Sequence, residues 1–418
     1  MTTTERAVSR KILGQVLGVC GLMVLAGMAL PGCDATQHGK YTAEHTSTAK
    51  LKMEGLKSAT EYKMAEQAYL AGDLPKAQKH IDLSLSLNDR VAKTYVMLGR
   101  IKMEMGDVEA ASAAFVQAQQ MEPKNVDAEY FQGVLAERID RRDEALSHYL
   151  AACDLDASNP QYTIAAAEMM VEAGDLDKAD SFLSERASAF DHNAGIRQMQ
   201  GHILQMKGEQ KLAATAFNQA HLLAPDDQSI TEDLIRSQMA MGKFAEAEYN
   251  LARILTGKEN KDRRDLLAMR STCLVQLDRP VEARSLLLTL TQGQEGAADV
   301  DAWINLGEVC YTLHDVNHLR QAATRVMAIA PQRYEGYMLR ALQLRHAGDL
   351  AGAEKAMQAS LTIKKSSDQY VLLGMIQQEL SQTGAAKESY AAALRTDPKD
   401  PNAAKLLSQL DQVAHVEE

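Results

Sequence analysis

Three side chains late in the sequence have the types and spacing of a metal site. Cys310, His314 and His318 follow one another at intervals of four, which on one helix would put them on a single face. A thiolate and two imidazoles suit zinc, which takes four ligands when its role is structural. No fourth ligand lies close by in the sequence. The remaining cysteines, Cys20, Cys33, Cys153 and Cys273, are far apart and form no short-spaced pair. Cys153, Cys273 and Cys310 fall on expected helices and read as small buried apolar residues. No phosphate-binding glycine loop, dinucleotide fingerprint, nucleophile elbow or HExxH pattern is present, so no residues offer themselves for catalysis. The reading is of a protein that is not an enzyme and carries no cofactor.

Whether the cysteine and two histidines share a face depends on the elements beneath them. The stretch Ala92–Asn125 shows those elements best. Apolar residues recur in it at three and four residue intervals, as amphipathic helices require. Gly106-Asp107 interrupts the run. Glycine can end a helix in the left-handed conformation, and aspartate can cap the next one. Pro123 stops the second helix. The turn position then returns at Gly72, Gly106, Asp140, Gly174, Gly208 and Gly242, each 34 residues after the last. An alanine follows each turn at Ala77, Ala111, Ala145, Ala179, Ala213 and Ala247. The same frame places His314-Asp315 at an inter-helix turn. The spacing of four would then not survive as one face, and a metal site is not expected.

A 34-residue step with this internal pattern resembles the tetratricopeptide repeat. Trp303-Ile304-Asn305-Leu306-Gly307 is similar to the opening W-x2-L-G of that family. The resemblance covers about residues 58–400. It implies an all-α fold, a right-handed superhelical solenoid of about ten helix-turn-helix repeats. Residues 401–418 read as a capping helix with an acidic tail, the kind of end an array needs. Two departures are expected: a glycine-rich loop over 292–298, and an irregular second helix around Leu319.

The family binds protein or peptide partners in a concave groove lined by the first helix of each repeat. The corresponding positions here include Tyr62, Tyr69, Arg100, Met103, Tyr130, His202, Arg236, Met239, Tyr311 and Met338. Tyrosine, methionine and arginine suit a binding surface through contact area, adaptable shape and charge-assisted bonds. Some members grip a carboxy terminus with lysine, arginine and asparagine. Tyr62, Glu66, Met97, Asp127 and Phe131 stand at those places in the first three repeats, which argues against such a clamp.

The N-terminus reads as an address. Arg6, Arg10 and Lys11 precede an apolar run from Val16 to Leu30, as in a secretory signal. The run ends Leu30-Pro31-Gly32-Cys33, which resembles the bacterial lipobox, with Pro31 departing from the usual small or β-branched residue. The resemblance implies removal of residues 1–32 and lipidation of Cys33. Several acyl chains anchor a protein stably where one does not. Residues 33–57 are polar and read as a flexible tether, with a reach on the order of 25 Å.

The formal net charge is −11 and aromatics make up only 5% of the sequence. An acidic surface repels phosphate backbones, so nucleic acid is excluded as a partner and basic or neutral proteins fit better. No small-molecule substrate is evident. The expected whole is a membrane-anchored scaffold facing the bacterial periplasm, in the inner or the outer membrane. Its process would be pilus, secretin or outer-membrane protein assembly, with exopolysaccharide export as the alternative.

Overall fold

The computed structural model describes residues 40–417; the expected signal segment and Cys33 lie outside them. The described residues hold 22 α-helices, one short 3-10 turn at Ala187–Phe190, and no strand. No described helix is long and apolar enough to cross a membrane. The chain divides into two compact units, one ending at Thr94 and the other beginning at Tyr95.

In the first unit, α1 (Lys40–Leu70) packs along α2 (Leu74–Leu87). Ala65, Ala77 and Ile81 are fully buried between them. Ser58 and Ser84 join the two helices by a hydroxyl–hydroxyl hydrogen bond of 3.0 Å, and the Ser84 hydroxyl donates to the Ser58 carbonyl at 2.9 Å. The stretch read as a flexible tether is helical from Lys40 onward, which corrects that expectation. No proline or glycine interrupts residues 40–54, and Lys50 pairs with Glu54 one turn away. Leu51, Met53 and Leu56 remain exposed along this extension.

The second unit consists of successive helix pairs. They are α3 (Ala92–Glu104, whose first residues belong to the other unit) with α4 (Val108–Met121), α5 (Val126–Arg138) with α6 (Arg142–Leu155), and α7 (Pro160–Glu172) with α8 (Leu176–Arg186). Then come α9 (Ala194–Met206) with α10 (Gln210–Leu223), α11 (Gln228–Ala240) with α12 (Phe244–Ile254), and α13 (Arg264–Gln276) with α14 (Pro280–Leu290). A short α15 (Gly293–Ala298) precedes α16 (Val300–Thr312) with α17 (Val316–Ile329). The last pairs are α18 (Tyr334–His346) with α19 (Leu350–Ile363) and α20 (Ser367–Glu379) with α21 (Thr383–Thr396), followed by α22 (Pro401–Glu417). Contacts run mainly between neighbours in this order, as a repeat fold requires.

Local chemistry explains where many of the helices start and where each first helix stops. The carboxylates or amides of Asp107, Asn125, Asn193, Asp227, Asp299 and Asp349 accept a backbone N–H three residues on, satisfying a helix N-terminus. The residue that ends each first helix is left-handed. Glycine fills that place at 72, 106, 174, 208, 242 and 348, while Asp140, Asp278, His314 and Ser381 take it with φ between 54° and 61°. His314 does sit in the turn that the repeat frame assigned to it.

Two expectations about the eighth repeat change. Residues 293–298 form α15 rather than a loop, and the Trp303 indole N–H donates to the Gly296 carbonyl at 2.9 Å. Glycine is required at 296 because a Cβ there would meet the Leu290 carbonyl at 2.3 Å. The second helix, α17, is a regular helix of 14 residues, with Leu319 buried among Ala322, Ala323 and Val326. At the C-terminus, Leu410 of α22 joins Ala386 and Tyr390 in one apolar cluster, with Leu406 and Leu407 packed on it.

Candidate functional site

The ten residues assigned to the groove do not behave alike. Met103 is only 4% exposed, so it belongs to the core and is withdrawn from the binding set. In the first unit, Tyr62 and Tyr69 are half-buried. The Lys93 ammonium sits over the Tyr62 ring, 4.7 Å from its centroid. Tyr62 also lines a cleft of about 290 Å³ with Ala59, Glu66 and Val91.

In the second unit, Tyr130 stands at the centre of an aromatic and acidic cluster. Its ring lies 5.1 Å from Tyr162, 5.2 Å from Phe131 and 5.7 Å from Tyr149. The Arg100 guanidinium lies over the Phe131 ring, 4.7 Å from its centroid. The buried Tyr149 hydroxyl donates to Glu137 at 2.5 Å. Burial and that hydrogen bond hold the Tyr149 hydroxyl far above its ordinary pKa. Burial, then the Glu137 and Glu168 charges, raise Tyr130 as well. Glu168 is itself pushed up, first by desolvation and then by the Glu137 and Glu172 carboxylates. Glu172 has Arg142 at 3.2 Å, but among the described residues no basic side chain pairs with Glu137 or Glu168. Negative charge here is under mutual repulsion.

A second cluster forms around α9, α11 and the start of α13. The His202 Nε2 lies 3.0 Å from Asp233, and the His202 ring meets Phe217 edge-on at 5.1 Å. Arg236 is half exposed but is tied at 3.2 Å to both Glu232 and Asp233. Arg263 reaches Glu232 from the next pair and also binds Asp265. These contacts lower the pKa values of Glu232 and Asp233 against the opposing cost of burial. The charge of Arg236 is therefore already matched within the chain. Met239, Tyr311 and Met338 are partly buried and pack on the cores around Ile235, Trp303 and Met357 respectively.

Sequence reasoning missed Tyr149, Tyr162, Glu137 and Glu168. Glu137 and Glu168 lie on first helices, where the repeat frame could have found them, but only polarity distinguished them from any solvated face. Another missed network joins Gln119, Glu129, Gln132 and His148, with His148 Nδ1 at 2.8 Å from Glu129. A signal for it existed: Glu61 and His80 stand at the same separation and also pair, at 2.7 Å.

Cys310, His314 and His318 do not come together, since His314 lies in the inter-helix turn. His314 instead stacks on His346, with ring centroids 5.5 Å apart. Cys310 finds Asp315 and His318, their ligand atoms within 4.8 Å of one another. That group is a poor cation site. Asp315 Oδ2 is engaged by His318 Nδ1 at 2.8 Å and by the Arg284 guanidinium at 2.9 Å. Asp315 also caps α17 by accepting from the His318 backbone N–H. Burial, then the Asp315 charge, push the Cys310 thiol up to about 12, which opposes the thiolate that metal binding needs.

Comparison with known proteins places the repeats. Tetratricopeptide repeat models match residues 96–160 and 370–400. The chain is 28% identical over 177 residues to the BBSome complex member BBS4 of Bos taurus, covering 42% of this chain and 34% of that protein. The match thus spans about a third of that relative's length. Among solved structures, the chain is similar to PilF of Pseudomonas aeruginosa, at 11% identity over 49% of this chain and 92% of that one, with a TM-score of 0.42. It is also similar to PilW, described as a widely conserved type IV pilus biogenesis factor, at 16% identity over 49% and 96% with a TM-score of 0.41. YrrB, described as having an unusual peptide-binding site, aligns at 17% identity over 46% and 97% with a TM-score of 0.34. The matched segments are tetratricopeptide repeats, and the pairs between and around them end their first helices in the same left-handed turn.

Proposed function

We infer that the chain is an interaction scaffold whose first-helix surface around Tyr130 takes a basic segment of a protein partner. The observation that carries this is the set of carboxylates at Glu137, Glu168 and Glu172 beside the partly accessible rings of Tyr130 and Phe131. Like charges held together without full compensation favour a cation, and lysine or arginine of a partner supplies one. Tyr130, backed by the buried Tyr162 and Tyr149, supplies a flat ring whose quadrupole favours a guanidinium. Lipidation at Cys33 would hold this surface at a bacterial membrane, facing the periplasm. Its process would be the assembly of an envelope structure such as a pilus, a secretin or an outer-membrane protein. The lipobox-like Leu30–Cys33 run supports the anchor.

The test titrates a fluorescein-labelled, arginine- and lysine-rich peptide against the full chain in neutral detergent. Replacing Tyr130 by Ala, or Glu137 and Glu168 together by Gln, is expected to weaken binding roughly tenfold, in keeping with loss of a dominant anchor. Affinity should fall as salt rises. Unchanged affinity in both variants refutes the reading.

A further inference from the structure

A different surface, in the same unit but on a second helix, has the opposite chemistry. One face of α17 presents Asn317, His318, Arg320, Gln321, Thr324, Arg325 and Ala328, at the spacing of a continuous helical stripe. With Ala297 at the end of α15 and the ring of Trp303, this stripe lines an open cleft of about 770 Å³. Its lining contains two arginines and a histidine and no carboxylate. Helix α17 has no Asp or Glu anywhere along its length, in a chain whose net charge is −11.

The repeat is interrupted beside the cleft. Helix α14 has 11 residues, whereas α17 and α19 have 14. The chain then folds into α15, pinned by the Trp303 indole on Gly296 and by the Arg325 Nε donating to the Ala297 carbonyl at 2.8 Å. That bond fixes the Arg325 guanidinium at the wall of the cleft and leaves its other N–H groups available. Arg320 is exposed and forms no ion pair among the described residues. Asp315, which caps α17, is already held by Arg284 and His318.

We propose that this cleft is a second binding site, for an acidic peptide segment of a partner protein. Guanidinium groups accept carboxylates in bidentate fashion, and Asn317, Gln321 and Thr324 offer neutral hydrogen bonds between them. Trp303 and the two alanines supply an apolar floor. The site is separate from the Tyr130 surface, so one chain would hold a basic and an acidic segment at once. This inference does not depend on the basic-peptide reading and goes beyond it.

The test uses a fluorescein-labelled glutamate-rich octapeptide and the full chain in neutral detergent. Two signals are read together: peptide anisotropy and the emission of Trp303, the sole tryptophan. Binding that shifts Trp303 emission and weakens with salt is expected. Arg320→Glu combined with Thr324→Glu, both exposed and outside the core, should weaken binding roughly tenfold or more. Arg395→Glu, an exposed reversal on α21, should leave it unchanged. Circular dichroism checks that each variant is folded. If the peptide fails to bind at low salt, or binds without moving Trp303 emission, the proposal is overturned. An equal loss from Arg395→Glu overturns it too. So does sedimentation showing that the α17 reversal only converts a dimer to a monomer, because a second copy would then be the occupant.

Discussion

Gly201 on α9 lies directly against the ring of Phe217 on α10; a Cβ on Gly201 would stand 2.6 Å from Phe217 Cε1. The same relationship recurs for Gly99 with Phe115, Gly133 with Tyr149, and Gly374 with Tyr390. Where the first helix carries alanine, as at Ala167 and Ala341, the residue at the matching place is Leu183 or Met357 and not an aromatic. Side-chain volume is exchanged across the helix pair, so that the core keeps its density.

This pairing yields the first prediction. Gly201→Ala should already destabilise the chain, and Gly201→Leu should do so by ~1–3 kcal/mol or more through overpacking. Combining Gly201→Ala with Phe217→Leu reproduces the Ala167–Leu183 combination and should recover much of the loss. Urea midpoints of the four proteins in a double-mutant cycle measure it. Strict additivity of the two changes would show that the ring and the glycine do not share space.

Glu168 provides a pH prediction. Its carboxyl is raised above the ordinary 4.5 by desolvation and by Glu137 and Glu172. Between 4.5 and the higher folded value, the native state holds more protons than the unfolded one. Stability therefore falls as pH rises through that window, and the loss is complete above it. Glu168→Gln should be more stable than the parent at neutral pH, with the difference vanishing as pH drops below the ordinary glutamate range. Thermal melts at several pH values give the curve. Basic-peptide binding should strengthen across the same window, because a cation favours the ionised carboxylate.

The three described cysteines should be chemically silent in the native protein. Each is free and buried. Burial raises Cys153, pushes Cys273 up to about 11 and Cys310 up to about 12. Iodoacetamide at mildly alkaline pH should leave all three unlabelled until urea unfolds the chain. Peptide mapping by mass spectrometry reads each site. Rapid native labelling of Cys310 would mean that the turn around His314 opens.

Cys33→Ser tests the anchor. Only a thiol at this position can be alkylated by a diacylglycerol donor, so the variant should accumulate as unprocessed precursor and take up no palmitate analogue. Undiminished label in the variant would refute lipidation at Cys33.

How much of this was legible beforehand follows from the range over which each feature is decided. Turn residues and caps act within a few positions. Gly106-Asp107 and the 34-residue recurrence were therefore enough to place the helix pairs, and His314 appears in the turn where the frame put it. Local composition failed where tertiary surroundings outweighed it. Residues 293–298 look like a loop by their glycines, yet the Trp303 and Arg325 hydrogen bonds to Gly296 and Ala297 help hold them as a helix. The polar stretch from Lys40 looks like a tether, yet it runs unbroken into the first packed helix.

The sequence by itself determined the repeat, its inter-helix turns and the small residues at most close approaches, because steric and backbone requirements are local and periodic. Only the tertiary structure decided which side chains are buried, paired or left accessible. Met103 and Tyr130 occupy comparable first-helix faces, but one is buried by its neighbours and the other meets Tyr162 and Tyr149. Arg236 and Arg320 are the same residue type, but Glu232 and Asp233 neutralise the first while the second faces a cleft without carboxylates. Electrostatic surroundings are summed over residues distant in the chain, and no spacing rule along one helix reports that sum.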